Sequence, residues 1–409
     1  MEIKCYIFNV SFYMRIFLLI IIYITFISLG LPDSLLGSAW PSIYKDINVP
    51  ISYLGIITMT ICFMTIISSV FSNKVTSKFG TRNVTIISVL LTVLALLGFS
   101  FSNNFYMLLL FAIPYGLGAG AIDAALNNYV ALHYKAKDLS WLHCFWGVGT
   151  IISPFIMGNV LKEHSWKFGY LIVSLIQLTI LIFLISTMRV WNINNIGTRK
   201  EETKQKEVSI IKAIKIKGVV FVLIAFFAYC ALESTTIQWA STYFVKVKNL
   251  TEEVSATYAS LFFIGITFSR FINGFVTNTL NDKKIILSSC MIVLIGIIIL
   301  FLPINTYITA LIGFIVIGFG CGPIYPSIIH STPINFGKEN SSAIIGIEMA
   351  SAYIGSTFMP PLFGILGNAL DFNIMPIYLV IFLTLIFFMI IISFNIKEKE
   401  SKKYENISN

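Results

Sequence analysis

The sequence contains little charge. Asp, Glu, Lys and Arg together make up only 11% of its 409 residues, whereas they account for roughly 25% of a soluble domain. A soluble protein of this length needs a charged surface, which so few charged side chains cannot provide. The shortage therefore excludes a soluble multidomain enzyme, a nucleic-acid-binding protein and a disordered chain.

Motifs for cofactors and enzymatic chemistry are also missing. The six cysteines are scattered and form neither a CxxC pair nor a Cys/His cluster, so neither a zinc site nor a disulfide framework is indicated. No GxxxxGK[ST] segment occurs, and no GxGxxG segment follows a strand. Because paired-histidine and nucleophile–base motifs are absent as well, we expect no metal, no cofactor and no enzymatic activity.

Hydrophobic residues, by contrast, make up 57% of the chain. A membrane-crossing helix uses roughly 20 apolar residues, so the sequence has room for about twelve crossings. We predict helices here because backbone in lipid must satisfy its own hydrogen bonds and the alternation typical of a membrane barrel is absent. The predicted spans are 15–37, 51–71, 84–102, 105–131, 141–161, 168–189, 216–244, 254–276, 285–303, 306–330, 341–367 and 374–394.

Lys and Arg are distributed unequally between the two sides of the membrane. With a cytoplasmic N-terminus, 22 of the 28 Lys and Arg residues fall in cytoplasmic segments and five in outer segments. Cytoplasmic loops carry an excess of these residues. The asymmetry predicts a multi-pass protein of the plasma membrane with both termini in the cytoplasm. We therefore attribute the net charge of +9 to the basic cytoplasmic loops, which fix the topology and attract anionic lipid headgroups of the bilayer.

The chain contains an internal repeat. The segment GLGAGAID at 116–123 matches GFGCGPIY at 318–325, 202 residues later. A glycine and a proline further along each half also match at a similar offset, namely Gly149 and Pro154 with Gly355 and Pro360. The glycines allow close helix packing and the prolines bend helices, so we assign these residues structural roles.

The repeat predicts the domain organisation. We expect an N-terminal six-helix bundle at 1–189, a cytoplasmic linker at 190–215, a C-terminal six-helix bundle at 216–394 and a cytoplasmic tail at 395–409. In proteins built from such repeats, the substrate binds near the membrane midplane between the halves.

Four acids and one arginine lie within predicted spans, namely Asp33, Asp123, Glu233, Glu348 and Arg270. A charge at the membrane centre costs roughly 3 kcal/mol, so such residues are candidates for function. Burial disfavours the charged form of a carboxyl group, which suits a proton-binding site. Asp123 is the leading candidate because Asn127 shares its helix face, and Asp33 or Glu233 is the second. Glu348 is left open between a substrate-binding group and a partner of Arg270 or a loop lysine.

Aromatic and amide side chains within the spans suit the wall of a sugar site. Amides bind hydroxyl groups, while aromatic faces cover the C–H side of a sugar. The candidates for substrate binding are Asn127, Asn128, His143, Trp146, Gln238, Trp239, Tyr243, Tyr325 and Glu348. The alternative is helix packing or an interfacial belt, since 14% of the residues are aromatic.

Twelve spans in two halves resemble the major facilitator superfamily over essentially the whole chain. The segment from Lys78 through Gly80 to Arg82 resembles the family's loop between spans two and three, usually G-x-x-x-D-R-x-G-R-[RK]. Ser77 replaces the aspartate of that loop, which removes the usual charge latch. Arg270 is similar to the corresponding feature at span eight, and the resemblance therefore implies a structural role for it.

Within the superfamily, several segments are similar to the fucose:proton symporter branch, namely 30–41, 120–127, 141–149 and 229–243. In that branch an acid in span one and an acid in span four handle protons and sugar, and Asp33 and Asp123 occupy similar places. The resemblance implies an all-α membrane protein that takes up a sugar or similar polar solute with protons by alternating access.

Two alternatives stay open. One is efflux of drugs or metabolites by proton antiport, and the other is a membrane sensor that binds a ligand without transporting it. Nothing in the sequence requires an oligomer, so we expect a monomer.

Overall fold

The structure is a computed structural model that describes residues 2–134, 136–195, 210–277, 279–302, 304 and 306–408. Within these ranges the chain is helical and contains no strand. The α-helices are α1 (Glu2–Asp33), α2 (Leu35–Asp46), α3 (Leu54–Phe101), α4 (Phe105–His133), α5 (Ala136–Val160), α6 (Trp166–Ser186), α7 (Ile210–Ile214), α8 (Val219–Lys248), α9 (Glu252–Val276), α10 (Asp282–Phe301), α11 (Tyr307–Cys321), α12 (Ile324–Phe336), α13 (Lys338–Ala369) and α14 (Met375–Ser408). Short 3-10 helices lie at Ile51–Tyr53, Met188–Asn195 and Phe372–Ile374.

Twelve stretches of the described chain are long and apolar enough to cross a membrane, which confirms the predicted all-α membrane fold. They are Tyr13–Asp46, Ile51–Ser72, Lys78–Phe101, Phe105–Val130, Trp141–Val160, Trp166–Ser186, Val219–Lys248, Glu252–Val276, Asp282–Phe301, Tyr307–Phe336, Ile344–Ala369 and Phe372–Lys399. The first span is longer than its predicted 15–37, because α2 continues it after a break at Ser34.

The described chain divides into two compact units. Unit 1 comprises Met1–Val49 and Thr60–Glu202, and unit 2 comprises Pro50–Met59 and Thr203–Asn409. The start of α3 thus belongs to unit 2, where Gly55 lies against Pro361 of α13. The linker predicted at 190–215 contains the end of the second 3-10 helix and all of α7, while its residues 196–209 lie outside the described chain. The tail predicted at 395–409 continues α14 through Ser408.

The internal repeat reappears in the packing of the glycine segments. In unit 1, a Cβ atom at Gly118 of α4 would press on the carbonyl oxygen of Ser88 in α3. In unit 2, a Cβ atom at Gly320 of α11 would meet the carbonyl oxygen of Ser289 in α10. Both the glycines and the serines are about 200 residues apart, so equivalent glycines make equivalent close contacts in the two units.

A second repeated contact involves α5 and α13, where Pro154 and Pro360 are buried within the helices. Gly149 lies where a Cβ atom would collide with the carbonyl oxygen of Ile27 in α1, and Gly355 stands in the same relation to Phe227 in α8. A larger side chain at either glycine would force the paired backbones apart.

The loop that resembles the family motif lies inside α3. Gly80 has a φ of 79° and a ψ of 150°, a left-handed backbone that favours glycine and separates the second and third spans. Lys78 is exposed, with its ammonium group over the Phe79 ring, and the Arg82 guanidinium donates to Asn83. The side chain of Ser77 lies outside the described residues.

Candidate functional site

The break between α1 and α2 places Asp33 at the end of a helix in unit 1. The Ser34 hydroxyl donates to the Thr150 carbonyl oxygen at 2.8 Å, which ties the break to α5. Asp33 receives two hydrogen bonds from other helices: the Tyr115 hydroxyl donates to Oδ1 at 2.6 Å, and the Trp146 indole N–H donates to Oδ2 at 2.7 Å. Asp33 is otherwise exposed, so its carboxylate is fixed in position yet open to a ligand.

Asp123 forms the second half of this acidic site. Its Oδ1 accepts a hydrogen bond from the Asn127 amide at 2.9 Å, as the shared helix face predicts. Asp33 and Asp123 do not touch each other, but they interact electrostatically as like charges. Among the described residues, neither carboxylate forms an ion pair. Unit 1 therefore holds two neighbouring acids without a cation to compensate them.

Tyr115 was not among the predicted site residues. It lies eight residues before Asp123 on α4, which is about 2.2 helical turns, so its side chain is rotated by about 80° from that of Asp123 and by about 120° from that of Asn127. The spacing therefore does not group Tyr115 with the Asp123 and Asn127 pair, and only the structure brings its hydroxyl to Asp33 at the break after α1.

The other predicted residues of unit 1 differ in their surroundings. Trp146 is half-buried and joins the site through Asp33. His143, one turn earlier on α5, packs edge-on against the Phe26 ring at 5.8 Å. Asn128 is exposed and lies on a different face of α4 from Asn127.

In unit 2, Glu233 pairs with Arg270. The Arg270 guanidinium lies 3.4 Å from Glu233 Oε1, and both side chains are largely buried, with 15% and 13% exposure. This ion pair joins α8 to α9 and neutralises Glu233. The environment of Glu233 therefore differs from that of Asp33, which has hydrogen-bond donors in place of a cation.

Glu348 does not pair with Arg270, so that predicted alternative is wrong. Glu348 is fully buried on α13, and its Oε1 lies 2.7 Å from the Thr332 hydroxyl of α12. Its Oε2 has no hydrogen-bond partner among the described residues. A carboxyl group enclosed in this way is closed to a solute in this conformation.

The aromatic candidates of α8 lie in the packed interior of unit 2. Trp239 is fully buried against Phe363, and its indole N–H donates to the Pro360 carbonyl oxygen at 2.9 Å. Tyr243 is also buried and packs edge-on against Phe314. The rings of both residues are covered by protein in this conformation.

Two other candidates of unit 2 remain partly accessible. Gln238 is half-buried, and its Oε1 has no hydrogen-bond partner among the described residues. Tyr325 is half-buried as well, with its ring 5.0 Å from that of Phe226 and its hydroxyl 3.4 Å from the Met349 sulfur.

Comparison with known proteins identifies the fold and the type of protein. The model of the Major Facilitator Superfamily matches residues 22–347 and 259–408. The glucose/mannose transporter GlcP of Bacillus subtilis (strain 168) is 23% identical over 328 residues, which cover 79% of this chain and 80% of that protein. The hexuronate transporter of the same strain is 23% identical over 298 residues, which cover 65% of this chain and 68% of that protein.

A solved structure supports the same fold. The crystal structure of a bacterial homologue of the human lysosomal transporter Spinster, in an inward-facing and occupied conformation, superposes with a TM-score of 0.70. The match covers 94% of this chain and 97% of that chain at 12% sequence identity, so it bears on the fold alone.

Proposed function

Since this chain belongs to the Major Facilitator Superfamily and is a multi-pass membrane transporter, we propose that it takes up a sugar or a similar small polar solute together with protons, by alternating access. The observation that carries this proposal is the pair of uncompensated acids, Asp33 and Asp123, within the membrane spans of unit 1.

The acid pair suits proton coupling. Two like charges that interact within the membrane spans are costly, and a proton on one of them removes the repulsion. Asp33 accepts two strong hydrogen bonds, which favour its ionised form, whereas the Asp123 carboxylate accepts one from Asn127. We therefore assign the transported proton to Asp123 and the binding of solute hydroxyl groups to Asp33.

The surroundings of the pair suit a sugar. Carboxylate and amide oxygens accept hydrogen bonds from hydroxyl groups, and Trp146 brings an aromatic ring to the same carboxylate. The relatives named above include a glucose/mannose transporter and a hexuronate transporter, which supports the sugar class. In unit 2 we keep Gln238 and Tyr325 as candidates for solute contact, because both are partly accessible.

Uptake by proteoliposomes tests this proposal. We expect an inward proton gradient to drive accumulation of labelled D-glucose or D-mannose. Asp123→Asn should abolish accumulation driven by the proton gradient, because the asparagine cannot carry a proton. The variant should still let the solute move down its own concentration gradient. Glu163→Gln is the matched control in unit 1, since it also replaces a carboxylate by an amide, but at an exposed position between the fifth and sixth spans.

Three outcomes would contradict the proposal. Accumulation that ignores the pH gradient would refute proton coupling, and normal accumulation by Asp123→Asn would refute the assigned residue. Solute extrusion under the same gradient would identify efflux by antiport.

The placement in the plasma membrane, the cytoplasmic termini and the monomeric state are further parts of the proposal.

A further inference from the structure

The most unusual buried group outside the acid pair is Glu348. Its side chain has no exposed surface, and in the described chain its one polar partner is Thr332. An ionised carboxylate enclosed in this way would be left with one oxygen unsolvated and no cation nearby, which is a severe cost. A neutral carboxylic acid in the same place leaves only a carbonyl oxygen without a partner.

The hydrogens at Thr332 also indicate a neutral acid. The Thr332 oxygen lies 3.1 Å from the Ile328 carbonyl oxygen and 2.7 Å from Glu348 Oε1. Thr332 has one hydroxyl hydrogen, so it cannot donate fully to both acceptors. If Glu348 carries a proton on Oε1, its own O–H donates to the Thr332 oxygen, and Thr332 donates to Ile328. A single proton on Glu348 thus provides a hydrogen for both short contacts.

Charged groups on the helices packed against α13 do not compensate Glu348. Three of these groups form ion pairs with other described residues: Glu233 of α8 pairs with Arg270, His330 of α12 pairs with Asp282, and Glu398 of α14 pairs with Lys283. The Lys397 ammonium group of α14 lies over the Phe336 ring. Lys212 of α7 is exposed. The other ionisable groups on the α13 neighbours are Tyr53, Tyr229, Cys230, Tyr243, Lys246, Lys248, Tyr325, Tyr378 and Lys399. None of them forms a hydrogen bond or an ion pair with Glu348 in the described chain.

We propose that Glu348 is a neutral carboxylic acid in this conformation and is the proton-carrying group of unit 2. This assignment rests on the proposed proton coupling, and it places that role on Glu348 in preference to Glu233, which is neutralised by Arg270. When α12 and α13 separate and water enters, the proton leaves Oε1 for a water molecule. The Thr332 hydroxyl then turns from the Ile328 carbonyl oxygen to the new carboxylate, so proton release changes a hydrogen bond within α12.

Infrared spectroscopy of the full chain in lipid vesicles tests the neutral form. We expect the wild-type protein near neutral pH to show a carbonyl stretching band of a protonated carboxyl group that Glu348→Gln lacks. Glu348→Asp keeps a carboxyl group and should shift the frequency of this band, so the test does not depend on whether Glu348→Gln folds. Glu233→Gln should leave the band unchanged. If neither Glu348 variant alters the band region, Glu348 is ionised and the proposal is overturned.

A pH series tests whether this proton is exchanged. The band should disappear reversibly as pH rises while circular dichroism shows an intact helical fold. Thr332→Val should keep the band to higher pH, because the carboxylate then loses its hydrogen-bond donor, whereas Thr332→Ser should behave as wild type. A band that survives unchanged at every pH at which the protein stays folded would show a static acid and would overturn the assignment.

These measurements use neither a solute nor a gradient. A protein that shows the reversible band but no gradient-driven uptake would contradict the proposed function and not the neutral state of Glu348. Normal pH-driven uptake without the band would contradict this inference alone.

Discussion

Four acids of similar chemistry have four different environments in this protein. Asp33 accepts hydrogen bonds from two aromatic donors, Asp123 from an amide, Glu233 faces a guanidinium, and Glu348 is enclosed beside a single hydroxyl. Hydropathy indicates that all four lie within spans, but it does not identify their partners. Those partners come from other helices in three of the four cases, so only the pairing of Asp123 with Asn127 follows from spacing along the chain.

The hydrogen bond from Trp146 to Asp33 can be tested with Trp146→Phe, which keeps the aromatic ring and removes the N–H donor. A hydrogen bond to a charged group contributes roughly 1.5–3 kcal/mol, so we expect the KM for gradient-driven D-glucose uptake to rise roughly tenfold or more. Tyr115→Phe should act in the same direction. The matched control is Trp141→Phe, because Trp141 is exposed and has no described hydrogen bond. Equal KM values for the Trp146 and Trp141 variants would show that the hydrogen bond from the Trp146 indole N–H to Asp33 does not contribute to solute binding.

At the scale of helices, the repeat in the sequence anticipates contacts that hydropathy alone does not. The glycines that match between the halves meet equivalent carbonyl oxygens, as with Gly118 and Gly320 against Ser88 and Ser289. The break at Ser34 comes two residues after Pro32, and the hydrogen bond from Ser34 to the Thr150 carbonyl oxygen ties it to α5. Helices are thus predictable from local composition, whereas their breaks depend on tertiary contacts.

The space around two glycines predicts different effects for the same substitution, one at the contact between α1 and α5 and one on α9. Gly149→Ala places a methyl group against the Ile27 carbonyl oxygen and should cost about 1–3 kcal/mol of stability through overpacking. Gly274→Ala on α9 meets no atom within 4 Å, so it should leave Tm unchanged or raise it. Thermal unfolding of the purified proteins in detergent measures both. A Gly149→Ala protein as stable as wild type would mean that α1 and α5 can move apart at little cost.

Across the whole molecule, the twelve spans were predictable because each is a local run of apolar residues. The membership of the two units was less so. Residues 50–59 precede most of α3 in the chain but belong to unit 2, where Gly55 lies against Pro361. A boundary drawn at the central polar segment cannot reveal this, since side-chain packing decides it and the contacting residues are about 300 positions apart in the sequence.

The interior charges of the whole protein predict its choice between neutral and anionic sugars. When Asp123 carries its proton, Asp33 still holds a negative charge that no described cation pairs with, and Arg270 is already neutralised by Glu233. No described residue beside the acid pair offers a cation to a solute carboxylate, which would be repelled at close range. We therefore expect unlabelled D-glucose to compete with labelled D-glucose in proteoliposome uptake and D-glucuronate to compete at least tenfold more weakly. Asp33→Asn should reduce this discrimination by removing the charge that remains when Asp123 is protonated, whereas Glu163→Gln, which removes an exposed charge between two spans, should preserve it. Equal competition by the two sugars in the wild-type protein would mean that a cation reaches the solute during transport, and Arg270 released from Glu233 would then be the first residue to test.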